Sequence, residues 1–117
     1  MADHQISLKK AIDLTNAFRS NKENILDANF RKKNILPLSE TFDKEALRHI
    51  FEDENCSYIR IYYGLDEELK LHAIVVGANA KKEDILPVQS DEPTNLVIEQ
   101  AERCPDLCPP DSVLNTD

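Results

Sequence analysis

Tryptophan is absent from the chain, and glycine occurs only twice, at Gly64 and Gly77. Two isolated glycines exclude the Gly-rich loops that cradle nucleotide phosphates. No run of about 18 apolar residues is present, so no helix is predicted to cross a membrane. His-Glu-x-x-His, Gly-x-Ser-x-Gly and kinase-type motifs are all missing. Bases are too few for a uniformly basic nucleic-acid binder: 14 Lys and Arg against 22 Asp and Glu leave a net charge of −8. The opening residues MADHQISLKK lack the basic-then-apolar layout of a secretory signal. Together with an odd count of three cysteines, this predicts a cytoplasmic protein with reduced thiols and no disulfide framework.

What is present is the material of one small globular domain. The chain has 117 residues, 41% of them apolar and 31% charged, enough to build a core without covalent staples. With four Phe and three Tyr, that core must be mostly Ile, Leu and Val. Charge is uneven along the chain. Residues 1–50 hold 9 bases and 7 acids, whereas residues 51–117 hold 5 bases and 15 acids. Such asymmetry can orient a partner or draw copies together; it also serves as an ordinary solubilising surface.

Hydrophobic spacing predicts the elements. Ser7 is placed to cap a helix over 8–22, whose stripe is Leu8, Ala11, Ile12, Thr15 and Phe18. Residues 23–33 either continue this helix with a bend or form a second short one. Pro37 restricts Ile35-Leu36-Pro37-Leu38 to an edge strand or connector. Asp43 is an N-cap for a helix over 44–52, with Ala46, Leu47, Ile50 and Phe51 facing inward. Residues 57–63 and 69–77 read as a β-hairpin. A loop with an odd number of residues sets Ile59, Ile61 and Tyr63 beside Leu69, Leu71, Ala73 and Val75, giving one apolar face. The other face then carries Tyr58, Arg60, Tyr62, Lys70 and His72. Leu96-Val97-Ile98 reads as a strand. Residues 1–102 are expected to form the domain, and residues 103–117, rich in Cys, Pro and acids, an extended or disordered tail.

Two groups of residues carry the chemical possibilities. The Tyr58, Arg60, Tyr62, Lys70 and His72 face can hold an anion or an acidic peptide, with Arg60 supplying a bidentate fork and the tyrosines flat contact. The plainer reading of the same face is the solvated side of a half-buried sheet. Stacking of single-stranded nucleic acid needs a basic groove, which the acidic surroundings argue against. Cys104 and Cys108 are spaced to share a metal, with Cys56 and His49 or His72 completing the set from afar; an incomplete ligand set is weak evidence for zinc. A thiol-redox role fits poorly, because three residues separate the two cysteines in a Pro-rich stretch. His49 and Cys56 flank one turn as a conceivable base and nucleophile, without any feature that joins them.

In chain order, Ser39-Glu40-Thr41-Phe42-Asp43-Lys44, Ile59-Arg60-Ile61-Tyr62-Tyr63-Gly64, Ala73-Ile74-Val75-Val76-Gly77 and the Cys104…Cys108-Pro-Pro stretch resemble a group of small uncharacterised proteins from Bacteroidota. The resemblance spans roughly residues 7 to 115. It implies a bacterial, intracellular protein and carries over no activity, cofactor or site residue. The expected fold is α+β: a small antiparallel sheet centred on the hairpin 57–77, with the helices at 8–22 and 44–52 packed on its apolar face. The expected core is Leu8, Ile12, Phe18, Leu47, Ile50, Phe51, Ile59, Ile61, Leu71 and Val75. The function expected is that of a non-catalytic interaction module, without cofactor. It would take a protein partner, an anionic ligand or a second copy of itself. The alternative is a small metal-binding or thiol-redox protein using Cys104, Cys108 and Cys56.

Overall fold

A computed structural model describes residues 3–88 and 91–117. The architecture is α+β, with two helices and antiparallel sheets built around one hairpin. Helix α1 (Leu8–Asn21) starts where Ser7 accepts a hydrogen bond from the Lys10 N–H at 3.0 Å, satisfying one of the free donors of the first turn. It stops at the polar stretch after Phe18. Residues 23–33 do not prolong it; they turn, form a single 3-10 turn at Ala28–Phe30, and are tied back by Arg31 Nε to the carbonyls of Glu23 and Leu26.

Strand β1 (Ser39–Thr41) leads into helix α2 (Lys44–Phe51), capped by Asp43, whose carboxylate accepts from the Glu45 N–H at 2.9 Å. Strands β2 (Tyr58–Leu65) and β3 (Leu71–Ala78) then form the hairpin. Residues 66–70 connect them, and Ile61 faces Val75, so the loop is odd and the apolar residues share one face as expected, but the turn lies two residues further along than the expected 64–68 and Leu69 falls within it rather than in β3. The turn is built on Asp66. Its carboxylate accepts from the N–H groups of Glu68 and Lys70 at 2.8 and 3.0 Å, and its own N–H donates to the Lys70 carbonyl. Beyond the hairpin come β4 (Asp84–Ile85), β5 (Val97–Ile98) and β6 (Glu102–Cys104). Both β4 and β5 pair with β3, one after the other along the edge away from β2. Strand β6 pairs with β1.

The buried apolar residues are Ile35, Ile50, Val75, Val76, Ala78 and Cys104. Four of the residues expected in the core are exposed: Leu8, Phe51, Ile59 and Ile61. Of the two described helices, α2 is the one that packs on β3. Its Ile50 meets Gly77, where a Cβ would come within 3.2 Å of Ile50 Cγ2 and 3.0 Å of Cys56 Sγ. Helix α1 buries none of its residues. It is held at its C-terminal end, where Lys22 donates to the Leu36 carbonyl and Arg19 reaches the C-terminus. With α1 turned elsewhere, Ile59 and Ile61 on the apolar face of β2 remain exposed.

The segment expected as a free tail is also different. Its first residues lie in β6, and the Leu38 N–H donates to the Cys104 carbonyl at 2.8 Å. Its last residues return to α1: Arg19 donates to the Leu114 carbonyl at 2.9 Å and pairs with Asp117 at 2.6 Å.

The close approach at Gly77 gives a direct test. Gly77→Ala is expected to lower stability by about 1–3 kcal/mol through overpacking, measured by urea denaturation. Adding Cys56→Ala should recover part of the loss, because the tighter of the two contacts is removed. A Gly77→Ala variant as stable as the parent would contradict this packing.

Candidate functional site

The strand alternation puts Tyr58, Arg60 and Tyr62 on one face of β2. The structure supplies that face with an anion of its own. Asp84 on β4 accepts from Arg60 Nη1 through Oδ1 and from the Tyr62 hydroxyl through Oδ2, both at 2.5 Å. Because β2 and β4 lie on opposite sides of β3, this clamp crosses β3 over Val76 and Ala78, which are 2% and 0% exposed. The hydrogen bond from Tyr62, then that from Arg60, holds the Asp84 carboxyl below the usual carboxylate range. The bond to Asp84 in turn raises the Tyr62 phenol and the Arg60 guanidinium. Tyr58 stands under the Lys82 ammonium, 5.6 Å from ring centre to Nζ, a cation–π distance.

His72 is not part of this group. It sits near the hairpin turn, where Nε2 is 2.8 Å from Asp66 Oδ2 and Nδ1 is 2.9 Å from Glu99 Oε1, the latter without hydrogen-bond geometry. The bond to His72, then the Lys70 N–H, lowers the Asp66 carboxyl to about 2, so the turn keeps its charged acceptor far into acid. Lys70, in the same turn, forms no ion pair among the described residues. The five residues singled out from sequence therefore divide into Arg60 and Tyr62 on Asp84, Tyr58 on Lys82, and His72 with Lys70 at the turn.

Glu40 reads from sequence as an ordinary surface acid. Its side chain is 9% exposed, and its Oε2 accepts from the Ala73 N–H at 2.9 Å, standing in for a missing strand partner. Arg103 Nε, 3.7 Å from Glu40 Oε1, donates to the Leu71 carbonyl at 3.1 Å. No spacing rule points to a side chain completing a β-ladder, and nothing in the sequence marks either residue.

The cysteines are also placed differently from expectation. Cys104 and Cys108 are joined in a disulfide, with Cα atoms 4.4 Å apart, so they are not the free thiols predicted. Cys56 is the free cysteine and packs at Gly77, its thiol donating to the Tyr58 carbonyl at 3.3 Å. Among the described residues no group of three His, Cys, Asp or Glu is arranged to hold a metal ion. His49 stands exposed on α2, and the Cys56 thiol bonds to Tyr58 rather than to it.

The feature that stands out is the outer edge of β2. The Asp66–Lys70 hydrogen bond fixes the phase of the ladder: Gly64, Tyr62, Arg60 and Tyr58 direct their N–H and C=O groups at β3. Ile59, Ile61, Tyr63 and Leu65 direct theirs outward, and among the described residues no strand meets them. Their side chains form an apolar row on one face, Ile61 being 51% and Tyr63 70% exposed. Beside Tyr63 lies a shallow hollow of about 230 Å³, walled by Pro37, Ser39, Leu71 and Ala73. The chain matches no protein-family model, no curated protein and no solved structure.

The clamp predicts a spectroscopic change. In Asp84→Ala the Tyr62 phenol loses its acceptor and keeps Arg60 nearby, which favours the phenolate. The late-titrating part of the tyrosine absorbance should move to lower pH in an ultraviolet titration. Superimposable curves for parent and variant would rule the clamp out.

Proposed function

We propose that this chain is a non-catalytic interaction module that takes a protein partner along the outer edge of β2. The observation that carries the reading is an eight-residue edge strand, Tyr58–Leu65, with free main-chain groups and apolar side chains. Natural sheets guard such edges with lysine, proline, bulges or covering segments. Here the strand has Arg60 as its single charge, and Asp84 neutralises it. An extended partner segment added to this edge gains a ladder of main-chain hydrogen bonds, and its side chains fall against Ile59, Ile61 and Tyr63.

The face read from sequence as an anion site is less suited to an external anion, since Arg60 and Tyr62 are engaged by Asp84.

Ile61→Lys places a charge in the middle of the edge without disturbing a buried position. The immobilised parent chain should retain a partner from a host lysate, and the Ile61→Lys chain should lose it while keeping its circular dichroism spectrum and melting temperature. Equal capture by both chains would contradict docking at β2.

A further inference from the structure

We infer that the Cys104–Cys108 disulfide is a redox latch: a thiol opens it at Cys108, and opening frees the C-terminal residues from helix α1. The latch is separate from the β2 edge. Its two sulfurs stand in unlike surroundings. Cys104 lies in β6, opposite Ser39 of β1, and is 3% exposed. Cys108 lies beyond the strand and is exposed. An incoming thiolate therefore meets the Cys108 sulfur first. The bridge joins cysteines four positions apart, and the Leu107 N–H already donates to the Arg103 carbonyl inside the ring at 2.8 Å. So small a ring removes little freedom from the open chain. The fold therefore adds less to keep this bridge shut than it would for a bridge between distant segments.

Two thiol equivalents, from one dithiol or from two monothiols such as glutathione, supply the electrons. The first thiolate bonds to Cys108 Sγ while the bond to Cys104 Sγ breaks. Cys104 leaves with the bonding pair and takes a proton. A second thiolate then attacks the sulfur now attached to Cys108, forming the reductant's own disulfide and releasing Cys108, which is protonated in turn. Two electrons and two protons have passed from the reductant to Cys104 and Cys108. Cys104 keeps its place throughout, because β6 is held by its backbone and not by sulfur. The Leu38 N–H donates to the Cys104 carbonyl at 2.8 Å, and Arg103 donates to the carbonyls of Leu71, Asn34 and Ile35. An oxidised thiol reagent closes the ring again by the reverse steps.

The ring governs what lies beyond it. Pro109-Pro110 is a stiff link, and the residues after it fold on themselves. Asn115 Nδ2 donates to the Pro110 carbonyl at 3.1 Å, and Asn115 Oδ1 accepts from the Ser112 N–H at 2.8 Å. This compact piece carries Leu114 and Asp117 to the Arg19 guanidinium, which bonds both. Helix α1 buries none of its residues, so these contacts, with Lys22 on the Leu36 carbonyl, hold its C-terminal end. With the ring closed, the piece starts from a fixed point on β6. With the ring open, residues 105–108 become free chain and add conformational entropy to the released state. An ion pair whose Asp117 side chain is 80% exposed is too weak to offset that gain, and Arg19 loses both partners.

Thiol trapping in glutathione buffers tests the latch. The purified chain is equilibrated in mixtures running from oxidised to reduced glutathione, alkylated with iodoacetamide and read by peptide mass spectrometry. Cys104 and Cys108 should pass together from unlabelled to labelled across that range. NMR spectra of the two end states should show the signals of Arg19 and residues 110–117 moving, while those of Leu38, Glu40 and Arg103 stay. Cys108→Ser should show the reduced pattern without any reductant. In oxidised glutathione, Cys104→Ser should form a mixed disulfide at Cys108. Cys108→Ser should do so at the buried Cys104 at least about tenfold more slowly. A bridge that stays closed in fully reduced glutathione overturns the latch and makes it a fixed staple. A reduced chain in which Arg19 and residues 110–117 keep their signals, or in which β1 and β6 lose theirs, overturns it as well.

Discussion

The structure depends on how the backbone of β3 is satisfied. Its residues Val75, Val76 and Ala78 are buried, and buried main-chain groups require partners. On one side, β2 provides them along the full length of the strand. On the other side they come in pieces: β4, β5, the Glu40 carboxylate on the Ala73 N–H, the Ile35 carbonyl on the Leu71 N–H, and Arg103 on the Leu71 carbonyl. Each piece brings a distant part of the chain to the hairpin. That arrangement positions β1 and β6 and carries the C-terminal residues back toward α1. It also leaves an asymmetry, because among the described residues β3 has partners on both sides while β2 has a neighbouring strand on one.

Charge is used in the same economical way. The strand face that collects Arg60 and Tyr62 keeps a carboxylate from its own chain, and the clamp roofs the most buried part of β3. The acidic balance of residues 51–117 therefore does structural service at Asp84, at Asp66 in the turn and at Glu99 beside His72. What remains uncommitted along the hairpin is a neutral, apolar edge, which explains why the interaction reading moves from the cationic face to the outer side of β2.

Local structure was legible in the sequence where side chains act on their own backbone. The caps at Ser7 and Asp43 and the odd loop were readable because each rests on a few adjacent residues or on strict alternation. Alternation identified Ile59, Ile61 and Tyr63 as one apolar face; it does not say whether that face is covered. Ile59 and Ile61 are expected in the core because α1 offers a matching stripe, yet α1 is drawn toward Leu36 and the C-terminus through Lys22 and Arg19. Tertiary pairings of that kind leave no periodic trace. The same holds for Asp84 reaching Arg60 across β3, for Glu40 completing a ladder, and for Cys104 bonding Cys108 in a segment that composition marked as a tail.

Amide hydrogen exchange along β2, followed by NMR, addresses the central claim most directly. In dilute solution the account predicts alternation, with Tyr58, Arg60, Tyr62 and Gly64 protected and Ile59, Ile61 and Tyr63 exchanging fast. Uniform protection along the strand in dilute solution would contradict a free outer edge on β2.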